Sequence, residues 1–205
     1  MTHRFAELMF TPEVQAQQEA HGSRGAYARF AHPDASANDC FSEGEAAFIA
    51  ARDSFYLASV SSSGWPYVQH RGGPAGFLQA LDEKTLAFPD CRGNRQYVSV
   101  GNVQTEDRVA LILVDYPNQR RLKILGRART LDLDEAAPVL ARLATLPKGA
   151  RAERAILITL EAFDWNCPQH ITPRYTKAQV ETALAPVLEE LEALRAENAR
   201  LKGLA

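Results

Sequence analysis

The stretch RVALILVDYPNQRRLKILGRARTLD at residues 108–132 contains two long runs that are typical of β-strands. The first run, 108–116, is rich in Val, Ile and Tyr, which favour extended backbone. A Pro-Asn-Gln turn at 117–119 ends it, and the second run follows at once over 120–132. Because parallel strands need a long crossover connection, these two strands are predicted to pair antiparallel.

Further strand-like runs lie on both sides of this pair. FYLASVS at 55–61 and PYVQHRG at 66–72 are separated by turn-forming residues, and so are the runs at 76–82 and 85–90. A last strand is predicted at 155–166. At least six strands joined mostly by tight turns predict an antiparallel sheet, and closing that sheet into a barrel would remove its exposed edges.

Capping signals predict the helices. Thr11 followed by Pro12 and an acidic residue predicts a helix over 12–20. Ser42 with Glu45 three positions later forms a capping-box pattern that begins a helix over 43–52. Further helices are predicted at 24–30, within 91–104 and at 134–146, and Thr176 with Gln179 forms a second capping-box pattern that begins a C-terminal helix.

Composition narrows the class of protein. The chain has 205 residues, 46% of them apolar and 23% charged, which fits one globular domain with an extension. A formal net charge of −2 gives no strongly basic face for nucleic acid. No apolar run approaches the roughly 20 residues of a membrane helix, and the N-terminal residues lack a signal-peptide core. We therefore expect a cytoplasmic protein with no nucleic-acid or membrane partner.

The cysteines are few and widely spaced. Cys40, Cys91 and Cys167 are odd in number, which argues against a disulfide framework. No C-x-x-C pair occurs, so a structural zinc site is not expected.

The C-terminal segment has a heptad pattern. With Leu184 at position a, apolar residues fall at a or d up to Leu201, and Asn198 falls at a. Glu190 and Glu197 fall at g, and Arg195 and Lys202 fall at the following e positions. This pattern predicts either a parallel two-stranded coiled coil, in which the lone Asn would fix the register, or a helix lying on its own barrel. Pro186 is expected to kink or split the helix.

A loop rich in hydrogen-bond donors precedes the helix predicted within 91–104. It contains Arg92, Asn94, Arg95 and Gln96. Guanidinium groups bind phosphate in a bidentate way, and a helix N-terminus adds backbone N–H groups. The loop is therefore a candidate phosphate cradle, although surface arginines are often only solvated.

The segment WNCPQHI at 165–171 admits three interpretations. Cys167 and His170 could belong to a metal site, but no second such pair is present. They could form a nucleophile and its base, although nothing adjacent would activate the thiol. In the third interpretation the segment forms the wall of a cofactor site, where the strand ends at Trp165 and polar groups follow. The plainer version of this interpretation is that Trp165 packs in the core and those polar groups form hydrogen bonds with the backbone of the turn. The polar groups are Asn166, Gln169 and His170.

The order of these elements resembles the pyridoxamine 5′-phosphate oxidase-like family of FMN-binding split barrels. The resemblance is carried by GWPYVQHR, by LAFPDCRGNRQ and by DRVALILVDYPNQRRLKILGRA, which together lie within residues 45–132, and WNCPQHI extends it toward 171. It implies a mainly β, α+β fold, an antiparallel split β-barrel of the FMN-binding type with a C-terminal helical extension. The expected segments are an N-terminal helical and loop segment at 1–41, the barrel domain at 42–175 and a C-terminal helix at 176–205.

The resemblance also implies FMN bound at a homodimer interface, each flavin being contacted by both chains. In the family, the second strand and the loop after the fourth hold the phosphate and the ribityl chain. The matching positions are Gln69, His70, Arg71, Asp90, Arg92, Asn94, Arg95 and Gln96, with Ser99 and Asn102 as weaker candidates. A strand after a Tyr-x-x turn contributes as well, at Gln119, Arg120 or Arg121.

The expected function is that of an FMN-dependent oxidoreductase acting on a small molecule, with NAD(P)H as a possible electron donor. No catalytic residue is assigned, because electron transfer at a flavin needs no protein nucleophile. The alternatives are a non-catalytic flavin- or haem-binding module, with His70 or His170 as haem ligand, and a deazaflavin-dependent reductase. Tyr67 stands where true pyridoxamine phosphate oxidases have Arg, and their C-terminal ending is absent, so the vitamin B6 substrate is not carried over.

Overall fold

A computed structural model gives the structure of the chain and describes residues 3–32, 34–143, 146 and 149–203. The helices are α1 (Arg4–Met9), α2 (Pro12–Ala20), a 3₁₀ helix (Arg24–Ala31), α3 (Glu43–Ala50), α4 (Val98–Thr105), α5 (Leu133–Leu140) and α6 (Lys177–Gly203). The strands are β1 (Ser54–Val60), β2 (Pro66–Gly72), β3 (Gln79–Ala80), β4 (Thr85–Cys91), β5 (Arg108–Asp115), β6 (Arg120–Asp132) and β7 (Ala152–Asn166).

The chain divides into two compact units. The first contains residues 1–115 and 120–168, and the second contains 116–119 and 169–205. The sheet belongs to the first unit and α6 to the second. No helix in the described parts of the chain is both long enough and apolar enough to cross a membrane.

All seven strands form one antiparallel sheet in the order β2-β1-β5-β6-β7-β4-β3. The β5–β6 hairpin pairs from Asp115 opposite Arg120 to Arg108 opposite Arg127. The predicted mainly β fold with flanking helices is confirmed. The sheet is not closed by strand pairing, however, since within the described residues β2 and β3 remain its edges.

Side chains join the two ends of the sheet where backbone pairing does not. Arg71 on β2 and Asp90 on β4 form an ion pair of 2.7 Å, although β1, β5, β6 and β7 lie between these strands in the sheet. Inside the curve, Phe55 on β1 stacks on Phe77 with ring centroids 5.7 Å apart and meets Phe88 on β4 edge-on at 5.1 Å. All three rings are buried. The sheet therefore curls around one apolar core and leaves a split between its ends.

Two capping boxes begin helices as predicted. The Ser42 hydroxyl accepts from the backbone N–H of Gly44 at 3.1 Å, and the Glu45 carboxylate accepts from the backbone N–H of Ser42 at 3.1 Å. At the start of α6, Thr176 and Gln179 exchange the same kind of bonds. Both pairs satisfy backbone N–H groups that a helix N-terminus leaves unbonded.

Several boundaries differ from expectation. The run at 76–82 contributes only Gln79 and Ala80 to the sheet, because Phe77 and Leu78 point into the core and make no strand pairing. The helix predicted over 134–146 is observed as α5, which ends at Leu140. Residues 144 and 145 of the predicted range lie outside the described residues. Short helix α1 was not predicted, and α6 continues through Pro186 without being split.

A β-bulge lies in the centre of the sheet. The register between β6 and β7 shifts between Leu125 and Gly126. A Cβ atom at Gly126 would lie 2.6 Å from both the Ile158 Cγ2 atom and the Thr159 carbonyl oxygen. A bulge bends its strand and increases the local twist. Glycine at this position therefore allows the close strand contact that accompanies the bend.

We expect Gly126→Ala to lower the free energy of unfolding by about 1–3 kcal/mol, because the added methyl must displace the backbone of β7. Urea denaturation followed by circular dichroism measures the effect. Gly101→Ala on α4 is the matched control, since its added Cβ meets no atom within 4 Å and alanine favours a helix. Equal effects of the two substitutions would contradict the account of the bulge.

Candidate cofactor-binding cleft

A cleft of about 270 Å³ lies beside the split in the sheet. It is bounded by β2, by the end of β4, by the loop after β4 and by the start of α4. Its lining is mostly polar and consists of Tyr67, Gln69, Arg71, Asp90, Cys91, Gly93, Asn94, Arg95, Gln96, Tyr97, Val98, Ser99 and Val100.

Strand β2 supplies every second residue to the cleft. Tyr67, Gln69 and Arg71 are half-buried on one face, as the period of two along a strand requires. The Tyr67 hydroxyl and the Gln69 side-chain oxygen are hydrogen-bonded to each other. His70 lies on the opposite face, where its ring meets Tyr56 edge-on at 5.5 Å.

A buried carboxylate forms the floor of the cleft. Asp90 is only 5% exposed and receives hydrogen bonds from Arg71 Nη1 at 2.7 Å and from Arg154 Nη1 at 3.3 Å. Arg154 also faces Glu153 at 3.6 Å, so the two carboxylates balance Arg71 and Arg154, and Arg95 adds positive charge to the lining of the cleft. The Nε atom of Arg71 is itself buried and has no hydrogen-bond partner among the described residues. One donor of this cleft-lining guanidinium thus remains without an acceptor.

The loop after β4 adopts a turn that non-glycine residues seldom form. Arg95 and Tyr97 have positive φ angles of 62° and 53°. The turn is supported by Asn94, whose side-chain oxygen accepts from the Gln96 backbone at 3.2 Å, and by the Tyr97 hydroxyl, which donates to Glu153 at 3.0 Å. Strained backbone that is held in this way is common at binding sites.

Helix α4 begins at the cleft. Ser99 lies in its first turn and is 3% exposed, and its hydroxyl has no hydrogen-bond partner among the described residues. The helix is held to β1 by a buried hydrogen bond of 3.0 Å from the Asn102 amide to Ser59. Unbonded backbone N–H groups at a helix start favour a negatively charged ligand. A phosphate group could therefore be bound by the start of α4, by the Ser99 hydroxyl and by the arginines that line the cleft.

Cys91 also lines the cleft, but its thiol is not activated. Burial raises the pKa of Cys91, the negative charge of Asp90 raises it further, and the nearby Arg71 opposes both effects only in part. The thiol is therefore protonated at neutral pH, and a thiolate nucleophile is not favoured here.

The structure brings together about half of the residues predicted to bind a cofactor. Those lining the cleft are Gln69, Arg71, Asp90, Asn94, Arg95, Gln96 and Ser99. Arg92 is exposed and faces Glu153 at 3.9 Å. Whether these side chains bind a cofactor stays a prediction, but their convergence follows from the fold.

Other predicted residues lie elsewhere in the first unit. Trp165 packs edge-on against Phe48 at 4.7 Å, lies 4.5 Å from the Arg120 guanidinium and donates its indole N–H to Glu45 at 2.9 Å. Burial opposes ionisation of Glu45, yet hydrogen bonds from Ser42 and Trp165 outweigh it and hold the Glu45 pKa below its usual value. Trp165 thus has the packing role that the sequence left open as an alternative.

Arg121 and Asn166 are partners in the β6–β7 register. The Nε atom of Arg121 is buried and has no hydrogen-bond partner among the described residues.

Gln169 and His170 belong to the second unit, where both are exposed and His170 has a positive φ of 65°. Within the ranges that the structure describes, no three His, Cys, Asp or Glu side chains form a group that could hold a metal ion.

Sequence reasoning missed Tyr67, Cys91 and Tyr97 as lining residues. Tyr67 could have been found, because it shares the period-two face of β2 with Gln69 and Arg71. The position of Tyr97 depends on the left-handed turn, for which the sequence offers no glycine or asparagine signal at that residue.

Comparisons with known proteins agree with this architecture. A family model described as pyridoxamine 5′-phosphate oxidase matches residues 41–165, more than half of the chain. No curated protein matches the sequence.

Solved structures resemble this chain at low sequence identity. A candidate pyridoxamine 5′-phosphate oxidase from Lactobacillus delbrueckii is 23% identical, with 62% of this chain and 94% of the other covered and a TM-score of 0.47. An FMN-binding protein from Syntrophomonas wolfei is 10% identical, with 73% and 97% covered and a TM-score of 0.49. An F420 reductase is 22% identical, with 60% and 98% covered and a TM-score of 0.43.

Proposed function

Because the chain belongs to the pyridoxamine 5′-phosphate oxidase family, we propose that it is an FMN-binding flavoprotein that acts as an oxidoreductase on a small molecule. The observation that carries this proposal is that two residues lining the cleft, Ser99 and Arg71, each have a buried polar atom, Oγ and Nε, with no hydrogen-bond partner among the described residues. Leaving such groups without a partner costs about 1–3 kcal/mol each. A bound phosphate would offer acceptor oxygens to both.

The residues of the cleft divide naturally among the parts of FMN. Arg95 has no hydrogen-bond or ion-pair partner among the described residues and, with the start of α4, would hold the phosphate. Gln69 and Asn94 carry amide groups that suit the hydroxyls of the ribityl chain. The bound flavin would supply hydride or electron transfer, and the protein would supply binding, orientation and electrostatics.

The substrate is a separate question from the cofactor. Tyr67 in the cleft stands where true pyridoxamine phosphate oxidases have arginine, and a single aromatic hydroxyl lacks the charge and the paired donors with which a guanidinium binds a phosphorylated substrate. We therefore propose a different small-molecule substrate, with NAD(P)H as electron donor.

A second copy of the chain is part of the proposal. Strand β5 contains the unbroken apolar run VALILV at 109–114, with Leu111 and its alternate neighbours buried in the core. Such runs are typical of strands covered on both faces. The other face is only half-buried, and around it lie Tyr56, 41% exposed, and Val68, 62% exposed. We propose that a second copy covers this outer apolar face, which includes His70 on β2, and completes the flavin site.

Removing the phosphate ligands should weaken FMN binding. We expect Arg95→Ala to raise the FMN dissociation constant tenfold or more, about the 1.5–3 kcal/mol of a charge-assisted hydrogen bond. Ser99→Ala should raise it a few-fold and yet stabilise the FMN-free protein by roughly 1 kcal/mol, because a buried hydroxyl without a partner is removed. Quenching of flavin fluorescence and urea denaturation measure the two effects.

Arg129→Ala is the matched control, since this exposed arginine on β6 does not line the cleft. FMN affinity that changes equally in Arg95→Ala and Arg129→Ala, or that is absent in the unaltered protein, would refute the proposal. Parallel titration with deazaflavin and haem separates the two alternative cofactors.

The dimer face can be tested with a charge. We expect Val68→Glu to raise the dissociation constant of the dimer at least tenfold and to weaken FMN binding with it, because two carboxylates would be buried without partners. Sedimentation equilibrium measures the first effect. Leu133→Glu is the control, as Leu133 is 49% exposed outside this face. A dimer of unchanged strength in Val68→Glu would place the interface elsewhere.

A further inference from the structure

Helix α6 is long and leaves its apolar side chains exposed. It has 27 residues, and none of its described side chains is buried. Its large apolar residues are between 40% and 59% exposed, and they are Val180, Leu184, Val187, Leu188, Leu191, Leu194 and Leu201. Helices in proteins owe most of their stability to the packing of an apolar face. Within the described residues, the single chain gives this helix no such packing.

The exposed apolar residues follow a seam. With Leu184 at heptad position a, all of them except Leu188 fall at a or d, and Asn198 takes the remaining a position. Spacing of this kind, with a repeat of seven residues, is typical of helices that pair in a coiled coil. Pro186 falls at position c, away from the seam, and α6 continues through it.

We propose that α6 pairs with α6 of a second copy of this chain in a parallel, in-register, two-stranded coiled coil. The charged residues beside the seam favour a second copy of the chain as the partner of α6. Glu190 and Glu197 occupy g, Arg195 and Lys202 occupy e, and none of the four has an ion-pair partner within the described parts of its own chain. In a parallel pair, each g residue faces the e residue five positions later on the partner helix. That places Glu190 against Arg195 and Glu197 against Lys202 on both sides of the seam.

An antiparallel pair is disfavoured by the same residues. When the two helices overlap fully, it would set g against g, so that Glu190 faces Glu197 of the second copy. At e, Arg195 would face Leu188 and lose the opposite charge that parallel pairing gives it. Asn198 adds a second constraint. In the single chain its amide donates to the Leu194 carbonyl at 3.1 Å. In the parallel register the two Asn198 side chains meet and can bond to each other, whereas antiparallel pairing would set each against an apolar d residue.

Site-directed cross-linking tests the pairing in the full-length chain. The exposed Cys40 and Cys167 are first replaced by Ser. Leu201→Cys then places a thiol at d in the seam, and Ala196→Cys places one at f on the outer face as the matched control. After mild oxidation of dilute protein, we expect most Leu201→Cys chains to form a disulfide-linked dimer and fewer than about a tenth of Ala196→Cys chains to do so. Equal cross-linking of the two variants, or none in Leu201→Cys, would overturn the proposal.

Charge exchange tests the register. In the Leu201→Cys protein, Glu190→Lys with Glu197→Lys should lower cross-linking at least fivefold, and so should Arg195→Glu with Lys202→Glu. Mixing the two variants should restore it, because every g residue then faces an opposite charge at e. Thermal melting checks that each variant is folded. Cross-linking that neither variant changes, or that the mixture does not restore, would contradict the parallel register. The proposal does not rest on flavin binding, since none of these residues lines the cleft.

Discussion

The ion pair between Arg71 and Asp90 is the contact on which the cleft depends. It joins an edge strand to one that lies five places along the same sheet, and Asp90 is buried while it does so. A buried carboxylate that lost all its cations would be left uncompensated, which costs several kcal/mol. Arg154 on β7 bonds to the same carboxylate. The cleft thus forms where a curled sheet fails to close and charged side chains span the gap.

The same arrangement explains why the cleft suits an anion. Arg71 and Arg154 are balanced by Asp90 and Glu153, Arg95 adds a positive charge to the lining, and the start of helix α4 lies in the same cleft. Ser99 and the Arg71 Nε atom are buried there without partners. A ligand oxygen would satisfy both groups, so their cost in the free protein is consistent with a role in binding.

Local patterns in the sequence predicted most of the elements, because their causes are local. The bounds of β2 and β6 follow from alternation and flanking turns, and the capping boxes at Ser42 and Thr176 follow from pairs three residues apart. The exceptions have non-local causes. Phe77 continues an apolar run but enters the core, so its segment hardly pairs with the sheet. The residues of the candidate site show the same difference between local and non-local causes. Alternation could have separated His70 from Arg71, whereas the approach of Arg71 to Asp90 depends on the curvature of the whole sheet.

The central claim is that this cleft holds the phosphate of FMN. A crystal structure of the protein grown with FMN tests it most directly. The account predicts phosphate oxygens within hydrogen-bonding distance of Ser99 Oγ and Arg71 Nε, at the start of α4. Flavin bound away from the cleft, for example at the Arg120 and Trp165 cluster, would contradict it, and so would a cleft that stays empty at saturating FMN.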